Sequence, residues 1–138
     1  IIMTEKNYDV QSININATPE RVFDFVAEPT NLPKWALGFS EVDETSALME
    51  TPNGKMKIGL INIINKEAGT IDSIMTMPDG SIGKAFSRVT ENNDGKSAIY
   101  SFVLMAPPVP LAEIEGTLEM QKKQLAQELI HLKSILEK

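Results

Sequence analysis

Residues Ala17–Ala36 read ATPERVFDFVAEPTNLPKWA, a stretch that holds two helix starts in close succession. Thr18 supplies an N-cap hydroxyl. Pro19 suits the first helical position, where its missing N–H would have no partner anyway, and Glu20 meets the positive end of the helix dipole. Val22, Phe23 and Val26 then recur at helical spacing, which predicts a short helix ending near Pro29. A second start at Thr30-Asn31 precedes Leu32-Pro33-Lys34-Trp35, where the proline permits only a brief turn before the chain leaves near Gly38.

Upstream, Tyr8 to Asn16 carries Val10, Ile13 and Ile15 in imperfect alternation, the pattern of a strand with a bulge or at a sheet edge. Downstream, the punctuation changes to the turn pairs Asn53-Gly54, Asp79-Gly80 and Asp94-Gly95, each between apolar-rich runs. The runs Ala47–Thr51, Lys55–Asn65, Gly69–Met77, Ile82–Thr90 and Ser97–Met105 read as strands of an antiparallel meander, with one more between Phe39 and Glu44. After the break at Pro107-Pro108-Val109-Pro110, Leu111, Ile114, Leu118, Leu125, Leu129, Leu132 and Leu136 fall on one helical stripe. A long helix from about Leu111 to Glu137 follows, spanning roughly 40 Å at 1.5 Å per residue.

The 138 residues, 42% of them hydrophobic, suffice for one core and predict a single domain over the whole chain. With no Cys and one His, the chain has no disulfide framework, thiol nucleophile or Cys-rich zinc site. A formal charge of −6 disfavours nucleic acid and anionic membranes. No apolar run is long enough for a signal peptide or membrane span, and a cytoplasmic location is the expectation. The run Gly80-Ser81-Ile82-Gly83-Lys84 is too short for a phosphate loop and joins two strands, and Glu41, Asp43 and Glu44 lack the spacing of a calcium loop. No metal and no cofactor are therefore expected.

The order of strand, ATPERVFDFVAEPTNLPKWA, meander and long terminal helix resembles the START-like or SRPBCC superfamily, which includes polyketide cyclase/dehydrase-like proteins. The matching positions are Ala17, Pro19, Val22, Phe23 and Trp35. The resemblance implies an α+β helix-grip fold, with two short helices after the first strand and a curved antiparallel sheet wrapped around the C-terminal helix. It also implies a pocket that commonly binds hydrophobic small molecules. Members that oxygenate aromatic rings add an iron site of His and carboxylate, which a single His cannot supply.

Within such a pocket the candidate contacts are Trp35, the strand residues Met56, Ile58, Met75, Phe86, Arg88 and Met105, and Leu118, Gln121 and Leu125 on the helix stripe. Methionines adapt to several apolar shapes, although they also serve simply to fill a core. Gln121 sits at the edge of the stripe, either offering a hydrogen bond or merely marking its boundary. Arg88 shares a strand face with Ile82, Lys84 and Phe86, while Gly83, Ala85, Ser87 and Val89 form the other. Turned inward, Arg88 would pair a ligand carboxylate or enolate through its planar fork; turned outward, it is an ordinary solvated residue. The small-residue face would leave room for a cavity. A slip of one residue exchanges every lining residue for a surface one, so register decides.

His131 lies opposite the leucine stripe and faces solvent on that count. The leading expectation is a protein that binds a hydrophobic or amphipathic small molecule between sheet and helix. The alternatives are a small cyclase or dehydratase-type enzyme using Arg88, Tyr100 or a pocket carboxylate such as Asp72 on a polyketide-like substrate, or a protein-interaction module. Ile99, Val103 and Met105 make the second face of the last strand apolar as well, which allows a homodimer through the outer sheet.

Overall fold

The computed structural model describes residues 7–51, 54–106 and 118–138. The Asn53 half of the first turn pair and the 111–117 portion of the expected terminal helix lie outside the described residues. The chain begins with β1 (Tyr8–Ile15), then α1 (Pro19–Ala27), a 3-10 turn (Pro29–Asn31) and α2 (Leu32–Trp35). The strands β2 (Phe39–Val42), β3 (Ser46–Thr51), β4 (Gly54–Asn65), β5 (Thr70–Thr76), β6 (Ile82–Asn92) and β7 (Ser97–Met105) follow, and α3 (Leu118–Leu136) completes the fold.

The capping prediction holds at atomic detail: Thr18 is extended and its hydroxyl accepts the Arg21 N–H at 3.3 Å. One face of α1 buries Val22 and Phe23, and Trp35 at the end of α2 is 4% exposed.

All strand pairs are antiparallel, in one curled sheet ordered β1-β7-β6-β5-β4-β3-β2. The meander pairs each strand with the next, while β1 returns to the far edge beside β7. That edge position explains the broken alternation of β1: Val10 faces out and stays 55% exposed, whereas Ile13 and Ile15 point to the core. The bulge lies instead in β2, between Phe39 and Glu41. Between β4 and β5, Gly69 takes φ +77°, and a Cβ there would stand 2.4 Å from the Val89 carbonyl oxygen. This turn is closed to every side chain.

The helix α3 lies along the concave side of the sheet against β1, fastened at three heights. Gln11 Nε2 donates to the Lys122 carbonyl at 3.0 Å, Lys133 Nζ to the Asn14 carbonyl at 2.7 Å, and the Asn16 N–H to Glu137 at 2.7 Å. Between these ties Leu125, Leu129, Leu132 and Leu136 are buried with Ile15, Val22, Phe23, Trp35, Ile71, Val89 and Tyr100. This is the helix-grip arrangement, its helix held because the stripe and the concave face are both apolar. A second cluster of Ala47, Met49, Ile58, Leu60 and Met77 fills the β3–β4 end, and Leu32 and Phe39 touch both clusters. Among the described residues no helix is long and apolar enough to cross a membrane.

Candidate functional site

Concave curvature and small side chains leave the sheet and α3 incompletely packed, and a cavity of about 270 Å³ lies between them. Ala85 and Ser87 of β6 supply the missing volume, as the small-residue face predicted. Trp35 and Phe39 close one side, and Leu60, Ile71, Met75, Phe102 and Leu104 form the apolar floor. The lining residues that also reach solvent include Glu28, Glu50 and Gln124, which places the way in beside the α1–α2 connection and β3.

Polar atoms reach the cavity from two walls. On the sheet, Asn62 of β4 stands opposite Ser73 of β5, whose hydroxyl donates to Asn62 Oδ1 at 2.7 Å. Ser87 donates to the Ile71 carbonyl at 3.3 Å. Tyr100 packs edge-on against Trp35, with ring centroids 6.2 Å apart, and against Phe102 at 6.3 Å. Burial pushes its phenol up to about 12, a rise the Ser87 hydroxyl partly opposes, so Tyr100 acts at neutral pH only as a protonated hydroxyl.

On the helix wall stand Gln121, Gln124 and Glu128. Glu128 is 9% exposed, and its Oε2 accepts the Leu37 N–H at 2.6 Å and the Gln124 amide at 3.3 Å. Burial raises the Glu128 carboxyl above the ordinary carboxylate range, against the lowering effect of these two donors. A carboxyl with this environment can hold or give up a proton inside the cavity.

Of the ten residues selected from sequence, Trp35, Met75, Gln121 and Leu125 line the cavity. Met56 and Ile58 share the inner face of β4 with Leu60 but pack at the β3–β4 end in the second cluster. Leu118 is the half-buried first residue of α3 and does not reach the cavity. Three selections are corrected by register. Val10, Val103, Phe86, Asp72 and Ile63 are successive cross-strand neighbours on the outer face, and Ser101, Arg88 and Thr70 form the next outer row. Phe86 and Arg88 therefore point away from the cavity, as does the alternative pocket acid Asp72. Met105 opposes Tyr8 on that same face. The physical reason is that Ala85, Val89 and Tyr100 are buried, and an inward Arg88 would need a counter-charge in a nonpolar core.

Glu128 also lines the cavity, and sequence reasoning did not single it out. A signal existed: Leu118, Gln121, Leu125, Glu128 and Leu132 are spaced alternately three and four apart, so Glu128 occupies a position of the buried stripe. His131 is exposed, as its angular position predicted. Among the described residues no group of three or more His, Cys, Asp or Glu side chains converges as a metal site would require.

The family model described as polyketide cyclase / dehydrase and lipid transport matches residues 10–133. The chain belongs to this family. The polyketide cyclase/dehydrase fold recurs in solved structures at low identity. A START superfamily protein from Mycobacterium smegmatis superposes with TM-score 0.72 at 9% identity, covering 96% of this chain and 98% of that one. The Zhui aromatase/cyclase from Streptomyces sp. R1128 gives TM-score 0.70 at 10% identity, with 94% and 93% covered. A protein from Chromobacterium violaceum gives 0.69 at 20% identity, with 96% and 99% covered. At these identities the likeness is one of fold. No curated protein matches the chain.

Proposed function

We propose that this member of the polyketide cyclase/dehydrase family binds an amphipathic small molecule in the cavity between the sheet and α3, within the cytoplasm. The cavity itself carries the reading: a space of about 270 Å³ with an apolar floor and a few polar groups on its walls is the usual form of a small-molecule site. The family description, which joins cyclase, dehydrase and lipid transport, supports the same reading. Trp35, the only tryptophan of the chain, lines the cavity and serves as an intrinsic reporter. Decan-1-ol, titrated into the protein, should change Trp35 emission to saturation at one equivalent. No change in emission and no heat of binding would remove the reading.

A second reading, turnover of a bound polyketide-like substrate, is favoured by Glu128, whose raised carboxyl belongs to a residue that lines the same cavity as Tyr100 and Ser87. Glu128 would then exchange a proton with the substrate while the hydroxyls hold its oxygen. Conversion of a bound substrate that stops in Glu128→Gln would mark this chemistry. Pairing of two copies through the outer sheet face also belongs to the proposal, since Val10, Ile61 and Ile63 remain more than half exposed there, at 55, 56 and 55%. Light scattering that finds only monomer across a dilution series would remove that part.

A further inference from the structure

We propose that the cavity selects an amphipathic ligand whose polar end is an ammonium group over one that ends in a carboxylate or phosphate. The inference rests on the pocket reading above and adds the charge class of the ligand.

The observation is one of sign. Among the described residues three carboxylates line the cavity, Glu28, Glu50 and Glu128, and none of the described lining residues is Lys, Arg or His. The cation that sequence reading offered to a ligand, Arg88, is turned to the other face of the sheet. Lys55 lies 4.0 Å from Glu50, but both side chains are about half exposed, at 55% and 48%, so water screens the pair and it does not change the sign of the interior.

Position separates the three acids. Glu28 and Glu50 are exposed and stand where a ligand enters, while Glu128 is 9% exposed on α3. Both hydrogen bonds to Glu128 fall on Oε2, from the Leu37 N–H and the Gln124 amide. Among the described residues none falls on Oε1, which leaves that oxygen to accept from a ligand. An ammonium group needs several acceptors, and Gln124, Asn62, Ser73 and Ser87 add amide and hydroxyl oxygens to the same cavity.

A carboxylate or phosphate would lose its hydration in this space and find no cation to replace it, which is costly for any ion. An ammonium loses hydration too, but it meets Glu128 and offsets the burial of that carboxyl. The apolar remainder of either ligand would rest on the same floor of Leu60, Met75 and Leu104. The charged end therefore decides between them.

The test uses three probes with one chain length, decylamine, decan-1-ol and decanoate, titrated calorimetrically into the full chain at pH 7. Decylamine should bind about tenfold or more tighter than decanoate, with decan-1-ol between them. In Glu128→Gln, which keeps the shape and removes the charge, the ratio should fall to about threefold. Ala85→Phe, which fills the cavity, should abolish saturable binding of all three and so separates the cavity from the acidic outer surface. Equal affinities for amine and alcohol, tighter binding of decanoate, or a ratio unchanged in a folded Glu128→Gln would each overturn the ammonium selection. In those cases Ala85-sensitive binding of decan-1-ol would leave the pocket reading standing. Should no probe bind in an Ala85-sensitive way, the pocket reading itself fails and this inference with it. The three-probe comparison on the unaltered chain decides the matter even if Glu128→Gln does not fold.

Discussion

The side chain of Glu128 holds the main-chain N–H of Leu37 at 2.6 Å, joining the terminal helix to the exit of α2 across 91 residues of chain. This bond fixes the corner where Trp35 and Gly38 border the cavity. It also ties a titrating group to the shape of the site. Glu128→Ala should cost about 1–3 kcal/mol, because the Leu37 donor loses its acceptor, while Glu128→Gln keeps an amide oxygen in place and should lose less. Urea unfolding of both variants checks the ordering.

Glu128, in the middle of α3, and Glu137, just beyond its end, should respond to pH with opposite sign. Burial raises the Glu128 carboxyl above the ordinary value of 4.5, so the folded state holds that proton more tightly. Its contribution is full below the ordinary value and is lost as pH rises through the raised one. Glu137 is lowered, first by the Asn16 N–H and then by Lys133, so its contribution is present above the ordinary value and lost as pH falls through the lowered one. Melting temperatures from pH 3 to 8 should show Glu128→Gln gaining on the parent chain as pH rises. Glu137→Gln should lose ground over the same climb. Two variants with parallel profiles would contradict the assignment.

Gly69→Ala should be among the most damaging single changes in the sheet. Its φ of +77° costs a side chain about 1–3 kcal/mol, and the new Cβ would stand 2.4 Å from the Val89 carbonyl oxygen, which β6 cannot easily move. Gly80→Ala is the control, since its φ is +88° but nothing lies within 4 Å of the added carbon. A melting temperature for Gly69→Ala clearly below that of Gly80→Ala is expected, at about 4 °C for each kcal/mol.

Trp35→Phe should retain the fold and remove the optical report of cavity occupancy. Trp35→Ala should destabilise by about 3–5 kcal/mol, because it also strips the edge contact to Tyr100 at 6.2 Å. Circular dichroism melts of the two variants distinguish packing from reporting.

The parts of the fold governed by local chemistry were legible in the residues. Thr18 and Pro19 set the start of α1 through capping and a fixed φ, effects that need no distant partner. The turn glycines likewise bound the meander. For the site, the helix and the strands behaved differently. Helical phase follows from spacing, so Gln121 and Leu125 could be aimed at the sheet from their positions alone. A strand with mixed side chains on both faces carries no such pointer: Phe86 and Arg88 alternate with Ala85 and Ser87, and only pairing with Tyr100 and Ile71 decides which pair faces inward. Glu128 was hidden for another reason. Its charge argues for solvent, and the Leu37 N–H, brought there by the tertiary fold, joins the Gln124 amide in making its burial tolerable.

The strand order has a consequence for how the chain assembles. Each partner in β2 to β7 is the next strand along, so these pairings close short loops and form early. The pairing of β1 joins Ile15 to Ala98 and must wait for β7, and the ties from Asn14 and Asn16 to Lys133 and Glu137 must wait for the last turn of α3. During synthesis β1 leaves the ribosome before its partner strand exists, with both of its backbone edges unpaired and Val10, Ile13 and Ile15 uncovered. Among the described strands, the first one made pairs with the last.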